Sequence, residues 1–175
     1  MRRLMLLRHA KSDRSSPGAL DRDRPLEARG EAAAPRVGAY MARHGLVPDR
    51  VICSPARRTR DTWNLLATAF SRRPAVTVED RVYDATAATL LDVLRKTEDT
   101  VHCLLIIRHN PGLQDLAALL IASGDVEARE RLHEKFPTTG LAVIDFAYDD
   151  WQKLHRQAGR LDRFVTPRSL ADATD

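Results

Sequence analysis

Residues 3–12 read RLMLLRHAKS, and this stretch decides the fold. Four consecutive apolar residues, Leu4 to Leu7, are followed at once by Arg8 and His9. A continuous apolar run this short, bounded by charge, is the pattern of a strand buried on both faces. Two further segments repeat the arrangement. RVICSPARRT (50–59) runs from a β-branched strand into Ser54, Arg57 and Arg58, and VHCLLIIRHNPG (101–112) ends in Arg108, His109 and Asn110. A fourth buried strand is predicted over 141–147, and a weaker one through Val76, Val78 and Glu79.

Helical patterns fill the intervals at 26–44, 55–70, 87–96 and 112–122. Strand–helix alternation with apolar strands predicts a three-layer α/β/α fold around a mainly parallel sheet. The first helix carries Leu26, Ala33, Val37, Tyr40 and Met41 on its expected inner face, with a kink or a second start at Pro35 and a C-terminal cap at Gly45. The charged stretch 124–135 reads as an exposed helical excursion. Residues 151–156 read equally as a last strand or an amphipathic turn. There is no repeat and no interdomain linker, so residues 1–168 form one domain without a cap, and 169–175 form a frayed tail.

A chain of 175 residues suits a single core. Aromatic residues are 5% of the chain, so that core must rest on Leu, Ala, Val and Ile. No apolar run approaches the roughly 20 residues needed to cross a membrane, and the apolar stretch Leu4–Leu7 is too short for an export signal. The expected compartment is therefore the cytoplasm, with Cys53 and Cys103 as reduced core residues rather than a disulfide or metal pair. Net charge is +4, without a dense basic run interleaved with aromatics or finger-like Cys/His spacing. That argues against nucleic acid as a partner and for one anion site.

The anion site is expected where the strands end, because ligands of parallel α/β sheets collect at their carboxyl edge. Guanidinium groups bind phosphate through paired hydrogen bonds, and helix N-termini add backbone donors. A histidine among arginines is held neutral, since protonation would add like charge, and a neutral imidazole is a nucleophile. His9 and His109 are the candidates because each follows an apolar strand beside an arginine. His44, His102, His133 and His155 read as packed or surface residues. Spacing from Ser54 favours Arg58 over Arg57 as the clamp. Arg108 either edges the site or lies on the sheet surface, and Lys11 and Ser12 are either site neighbours or solvated loop residues.

These motifs resemble the histidine phosphatase (phosphoglycerate-mutase-like) superfamily. Arg8-His9-Ala10 resembles its Arg-His-Gly signature, Ser54-Pro55 with Arg58 and Thr62 its second motif, and Leu105 to Gly112 its second-histidine motif. The short chain is most similar to the SixA-type phosphohistidine phosphatases, as are Arg24-Pro25-Leu26 with Gly30, Pro137-Thr138-Thr139-Gly140 and Thr166-Pro167-Arg168. Ala10 departs from the usual Gly, as SixA-like chains often do. The resemblance implies a phosphatase that needs no metal or cofactor, with His9 as the phosphorylated nucleophile. It implies Arg8 and Arg58 as phosphate clamps and His109 as the second histidine on the transferring group. No motif fixes a proton donor; Asp84 is the foremost candidate, beside Glu79 and Asp80.

An alkyl phosphate leaves as a poor alkoxide and gains roughly 10²–10⁴-fold from a general acid. A phosphoramidate releases an imidazole and depends less on one. The expected substrate is therefore phosphohistidine on a protein, or a small phosphorylated molecule. The rivals are a non-catalytic phosphate-recognition module on the same fold and a phosphomutase. The module need not keep both histidines, and the mutase would need a lid over phospho-His9, for which the 50-odd residues between Arg58 and His109 leave little material. Oligomeric state is left open.

Overall fold

Successive side chains of a strand point to opposite faces of a sheet, so four buried neighbours such as Leu4 to Leu7 demand a cover on each side. A computed structural model, which describes residues 1–15 and 17–172, shows both covers. β1 (Arg2–Arg8) is joined by β2 (Arg50–Cys53), β3 (Ala75–Val78), β4 (Cys103–Arg108), β5 (Ile121–Gly124), β6 (Leu141–Phe146) and β7 (Gly159–Val165). Among the described residues these form one seven-stranded sheet in the order β3-β2-β4-β1-β6-β7-β5. Only β6 runs against the others.

Leu4 and Leu6, with Leu104 and Ile106 of β4, point to the face covered by α3 (Ala87–Arg95), α4 (Gly112–Leu120) and α5 (Val126–Glu134). Met5 and Leu7, with Leu105 and Ile107, meet Val37 and Met41 of α1 (Ala28–Arg43) and Trp63 and Leu66 of α2 (Arg57–Leu66). Full burial of each such side chain contributes about 1.5–3 kcal/mol. The three-layer α/β/α architecture expected from the apolar runs is the one observed. Cys53 and Cys103 are free thiols, and burial pushes each up to about 12.

Several elements differ from the sequence reading. The α4 helix stops at Leu120, and residues 121–124 become the edge strand β5. β7 has no counterpart among the predicted strands, because Arg160, Asp162 and Arg163 interrupt its apolar face and its pairing with β6 slips by a bulge. Of the two readings of 151–156 the turn is the one observed, a 3₁₀ turn at 151–153; Trp151 there is fully buried and donates to the Val101 carbonyl at 2.7 Å. α1 continues through Pro35 without restarting, and it buries Gly30, Ala34, Val37, Gly38 and Met41, so Ala34 replaces Ala33 on the inner face. Of the tail expected to fray over 169–175, residues 169–172 belong instead to α6 (Pro167–Asp172), with Leu170 packed against the core and Ser169 and Thr166 capping its first turn. Residues 173–175 lie outside the described residues. No described helix is long and apolar enough to cross a membrane.

Gly45 closes α1 with φ +67° while Leu46 donates to the Met41 carbonyl at 2.8 Å. Gly38 serves a different purpose. A Cβ there would lie 2.4 Å from the Leu66 carbonyl oxygen, where α1 and α2 touch backbone to backbone. Gly38→Ala should therefore destabilise by about 1–3 kcal/mol from overpacking, despite the roughly 1 kcal/mol that Ala gains in a helix interior. Urea denaturation checks this; a stabilised variant would contradict the close approach.

Candidate active site

The pairing of β1 with β4 brings the two histidines together. The strands are parallel, and their register matches Arg8 with Arg108. The next residue of each is therefore a histidine at the same sheet edge. The His9 amide donates to the Arg108 carbonyl at 3.1 Å, and the two imidazole centroids are 5.4 Å apart. β2 lies on the other side of β4, so Ser54 also arrives at this edge; its Oγ is 2.8 Å from His109 Nε2. α2 begins three residues later and carries Arg58 in its first turn, 5% exposed.

Two threonines lock these pieces. Thr62 Oγ1 donates to the Arg58 carbonyl at 2.6 Å and accepts the Ala10 amide at 2.9 Å, tying α2 to the His9 loop. Thr59 Oγ1 lies 2.7 Å from both the Ser54 and Ala56 carbonyls. From the antiparallel side, the Thr139 amide meets the Arg8 and His9 carbonyls at 3.0 and 3.1 Å. Arg8 is half-buried and donates to the Phe136 carbonyl at 2.9 Å.

His9 Nδ1 lies 2.7 Å from the carbonyl oxygen of Ala10. A carbonyl can only accept, so Nδ1 holds the proton and the neutral ring carries its lone pair on Nε2. Burial first, then the Arg58, Arg8 and Arg24 charges, pull the His9 pKa down to about 3, against the opposing Ala10 bond. His109 is likewise lowered to about 3 by burial and then by Arg58. Its Nδ1 is buried without a partner among the described residues. The Arg8 guanidinium is lowered by burial and by Arg14 and Arg58. Two neutral imidazoles among guanidiniums can receive a tetrahedral anion and offer it a nucleophilic nitrogen.

One acidic residue of the site was not foreseen. Asp21, in a 3₁₀ turn at 21–23, faces the Arg58 fork: Arg58 donates to its carbonyl at 2.7 Å and to Oδ2 at 3.0 Å. Tyr83 donates to the same Oδ2, and Arg24 pairs with Oδ1 at 3.0 Å. The Tyr83 hydroxyl first, with the Arg58 hydrogen bond and charge, holds the Asp21 carboxyl well below the usual carboxylate range. Only the local Asp21–Arg24 spacing hints at this in the sequence. The Arg58 partner lies 37 residues away and no pattern announces it.

The remaining candidates separate cleanly. Arg8, His9, Arg58 and His109 are brought together. Asp84 is exposed, with no hydrogen bond or ion pair among the described residues. Arg57 is exposed and pairs with Asp61 at 3.3 Å, leaving Arg58 as the buried one. Arg108 is 2% exposed and donates to the Val82 and Tyr83 carbonyls at 3.1 Å, so it holds the Tyr83 loop. Ser12 is buried and accepts from Arg24 at 3.1 Å, whereas Lys11 is exposed. Among the described residues no group of three or more His, Cys, Asp or Glu is arranged to hold a metal ion.

Comparison with known proteins agrees with this geometry. The model of the histidine phosphatase superfamily (branch 1) matches residues 4–84. An uncharacterized Mycobacterium tuberculosis protein is 36% identical over 164 residues, covering 93% of this chain and 100% of its own length. The Agrobacterium tumefaciens protein assigned as the phosphohistidine phosphatase SixA is 31% identical, with a TM-score of 0.76 over 95% of this chain and 98% of its own. A Nakamurella structure of the same assignment gives a TM-score of 0.82 at 24% identity over 95% and 96% of the two chains, a likeness of fold. With paired histidines at the ends of β1 and β4 and relatives matched along nearly their whole length, the chain belongs to the histidine phosphatase superfamily, in its SixA-like group.

Proposed function

We propose that the protein hydrolyses phosphohistidine on a protein substrate through a covalent intermediate on His9. The observation that carries this reading is the His9 Nδ1 bond to the Ala10 carbonyl, which leaves the Nε2 lone pair free. In the first step Nε2 attacks phosphorus; the new P–N bond forms as the bond to the substrate imidazole breaks, and that imidazole takes a proton from water. A second water then attacks phospho-His9 and gives its proton to the hydroxide left by the first, releasing inorganic phosphate and the neutral ring. Arg8, Arg58 and His109 stabilise charge on the non-bridging oxygens, which is most of the catalysis in phosphoryl transfer.

Phosphohistidine fits better than an alkyl phosphate because the site offers no well-placed acid. Asp21 is held ionised by Tyr83, Arg58 and Arg24, and Asp84 stands in solvent. An imidazole leaving group tolerates this; an alkoxide does not. The rim also suits a macromolecule, since among the described residues the span from Arg58 to His109 forms α2, β3, α3, β4 and short turns with no inserted lid. The 31% identity to the Agrobacterium protein supports the same substrate class.

The test is a brief reaction with a ³²P-phosphohistidine peptide, quenched in alkali and mapped. Phosphate should be found on His9, and His9→Ala should lower turnover by about 10⁴-fold or more. Label on another residue, or an active His9→Ala enzyme, would refute the mechanism. A second consequence follows from charge. With a folded pKa of about 3, His9 should remain neutral from pH 8 to pH 5, so its ring resonances should not move in that window. Because this value lies below the ordinary 6.5, the unfolded chain binds the extra proton, and stability should fall by on the order of 1 kcal/mol per pH unit below about pH 6.5 for each of His9 and His109. A His9 resonance titrating near 6.5 would contradict the buried neutral nucleophile.

A further inference from the structure

A groove of about 750 Å³ opens beside the His9 loop, floored by Pro137, Thr138, Phe164 and Pro167. Its walls carry Lys11, Arg29, Arg131, Lys135 and Arg168, against the single carboxylate of Asp172. That excess of four positive charges equals the net charge of the entire chain. All five cations are exposed, and among the described residues none makes an ion pair. Like charges gathered without counter-charge repel one another, so the arrangement costs stability unless an anionic partner uses it.

The groove is lined by residues that adjoin the His9 edge along the chain. Lys11 follows His9 by two residues, and Pro137 and Thr138 lead into Thr139, whose amide meets the Arg8 and His9 carbonyls. The other walls come from α1, α5 and α6, and two of them are held in place. The Arg131 guanidinium lies 5.8 Å from the Phe164 ring, and reciprocal Thr166–Ser169 hydrogen bonds fix the turn that bears Arg168.

We propose that this groove docks an acidic segment of the phosphoprotein substrate, binding carboxylates that flank its phosphorylated histidine. The proposal rests on the phosphohistidine reading above. Its volume and five separated cations exceed what one phosphoryl group requires. A histidine side chain is short, so a protein that places its phosphate at His9 must lay neighbouring surface on the rim. Nucleic acid is disfavoured because the one aromatic residue of the lining, Phe164, is buried beneath Arg131 and offers no face for a base.

The test uses two synthetic phosphohistidine peptides, identical except that one flank carries four glutamates or four glutamines. At low salt the parent enzyme should show a kcat/KM about 10- to 50-fold higher for the glutamate peptide, falling as salt screens the pairs. The variant Arg29→Gln/Arg131→Gln/Lys135→Gln/Arg168→Gln should lose that preference while keeping parental turnover of para-nitrophenyl phosphate. Arg168→Gln and Lys135→Gln alone should each lower it several-fold, which keeps the test valid if the fourfold variant does not fold. Equal rates for both peptides in the parent, or an undiminished preference in the variants, would overturn the proposal. So would tighter binding of a single-stranded oligonucleotide of equal charge. Fluorescence anisotropy with the unphosphorylated glutamate peptide separates the two readings. Salt-sensitive binding without turnover strikes the phosphohistidine reading and leaves the groove, whereas turnover without glutamate preference strikes the groove alone.

Discussion

The site depends on one backbone interaction, the parallel register of β1 against β4. Arg8 is matched with Arg108, and the ladder ends with the His9 amide on the Arg108 carbonyl. Two strands that run in the same direction and stop at the same edge must deliver their next residues side by side. A slip of one residue would exchange the faces of Leu4 through Leu7 and drive Arg8 or Arg108 toward a core. The apolar packing on both faces therefore fixes the chemistry at the edge, although no core residue touches it. Ser54 and Thr62 extend the same control to the third segment, binding His109 and the Ala10 amide.

Gathering guanidiniums around two imidazoles has an electrostatic cost, and the fold answers it twice. Both histidines are held neutral by burial and by neighbouring positive charge. The Arg58 fork is occupied by Asp21, itself gripped by Tyr83 and Arg24. A removed partner would leave a buried charge exposed to its full desolvation penalty. Asp21 therefore holds Arg58 extended and ready, and on the proposed reaction an incoming phosphoryl group competes with this carboxylate for the same donors.

What could be read from the sequence was local. The strands ending in Arg8-His9 and Arg108-His109 stand out because four to five apolar residues stop abruptly at paired basic groups, and Arg58 follows Ser54 at a fixed spacing along one helix. The three-layer fold follows from those runs. β5 and β7 escaped notice because edge and bulged strands need not be continuously apolar, and Arg160, Asp162 and Arg163 disguise the latter. Asp21 was invisible for a different reason: its meaning lies in contacts to Arg58 and Tyr83, 37 and 62 residues away. The basic groove is assembled from separate segments, so its cations read along the chain as ordinary solvated residues.

The most direct measurement is a crystal structure of the protein with orthovanadate. Vanadium should be bonded to His9 Nε2 with Arg8, Arg58 and His109 on its equatorial oxygens and the Arg58–Asp21 contact loosened. Vanadate bound elsewhere, or a His9 ring turned so that Nδ1 faces the anion, would contradict the account.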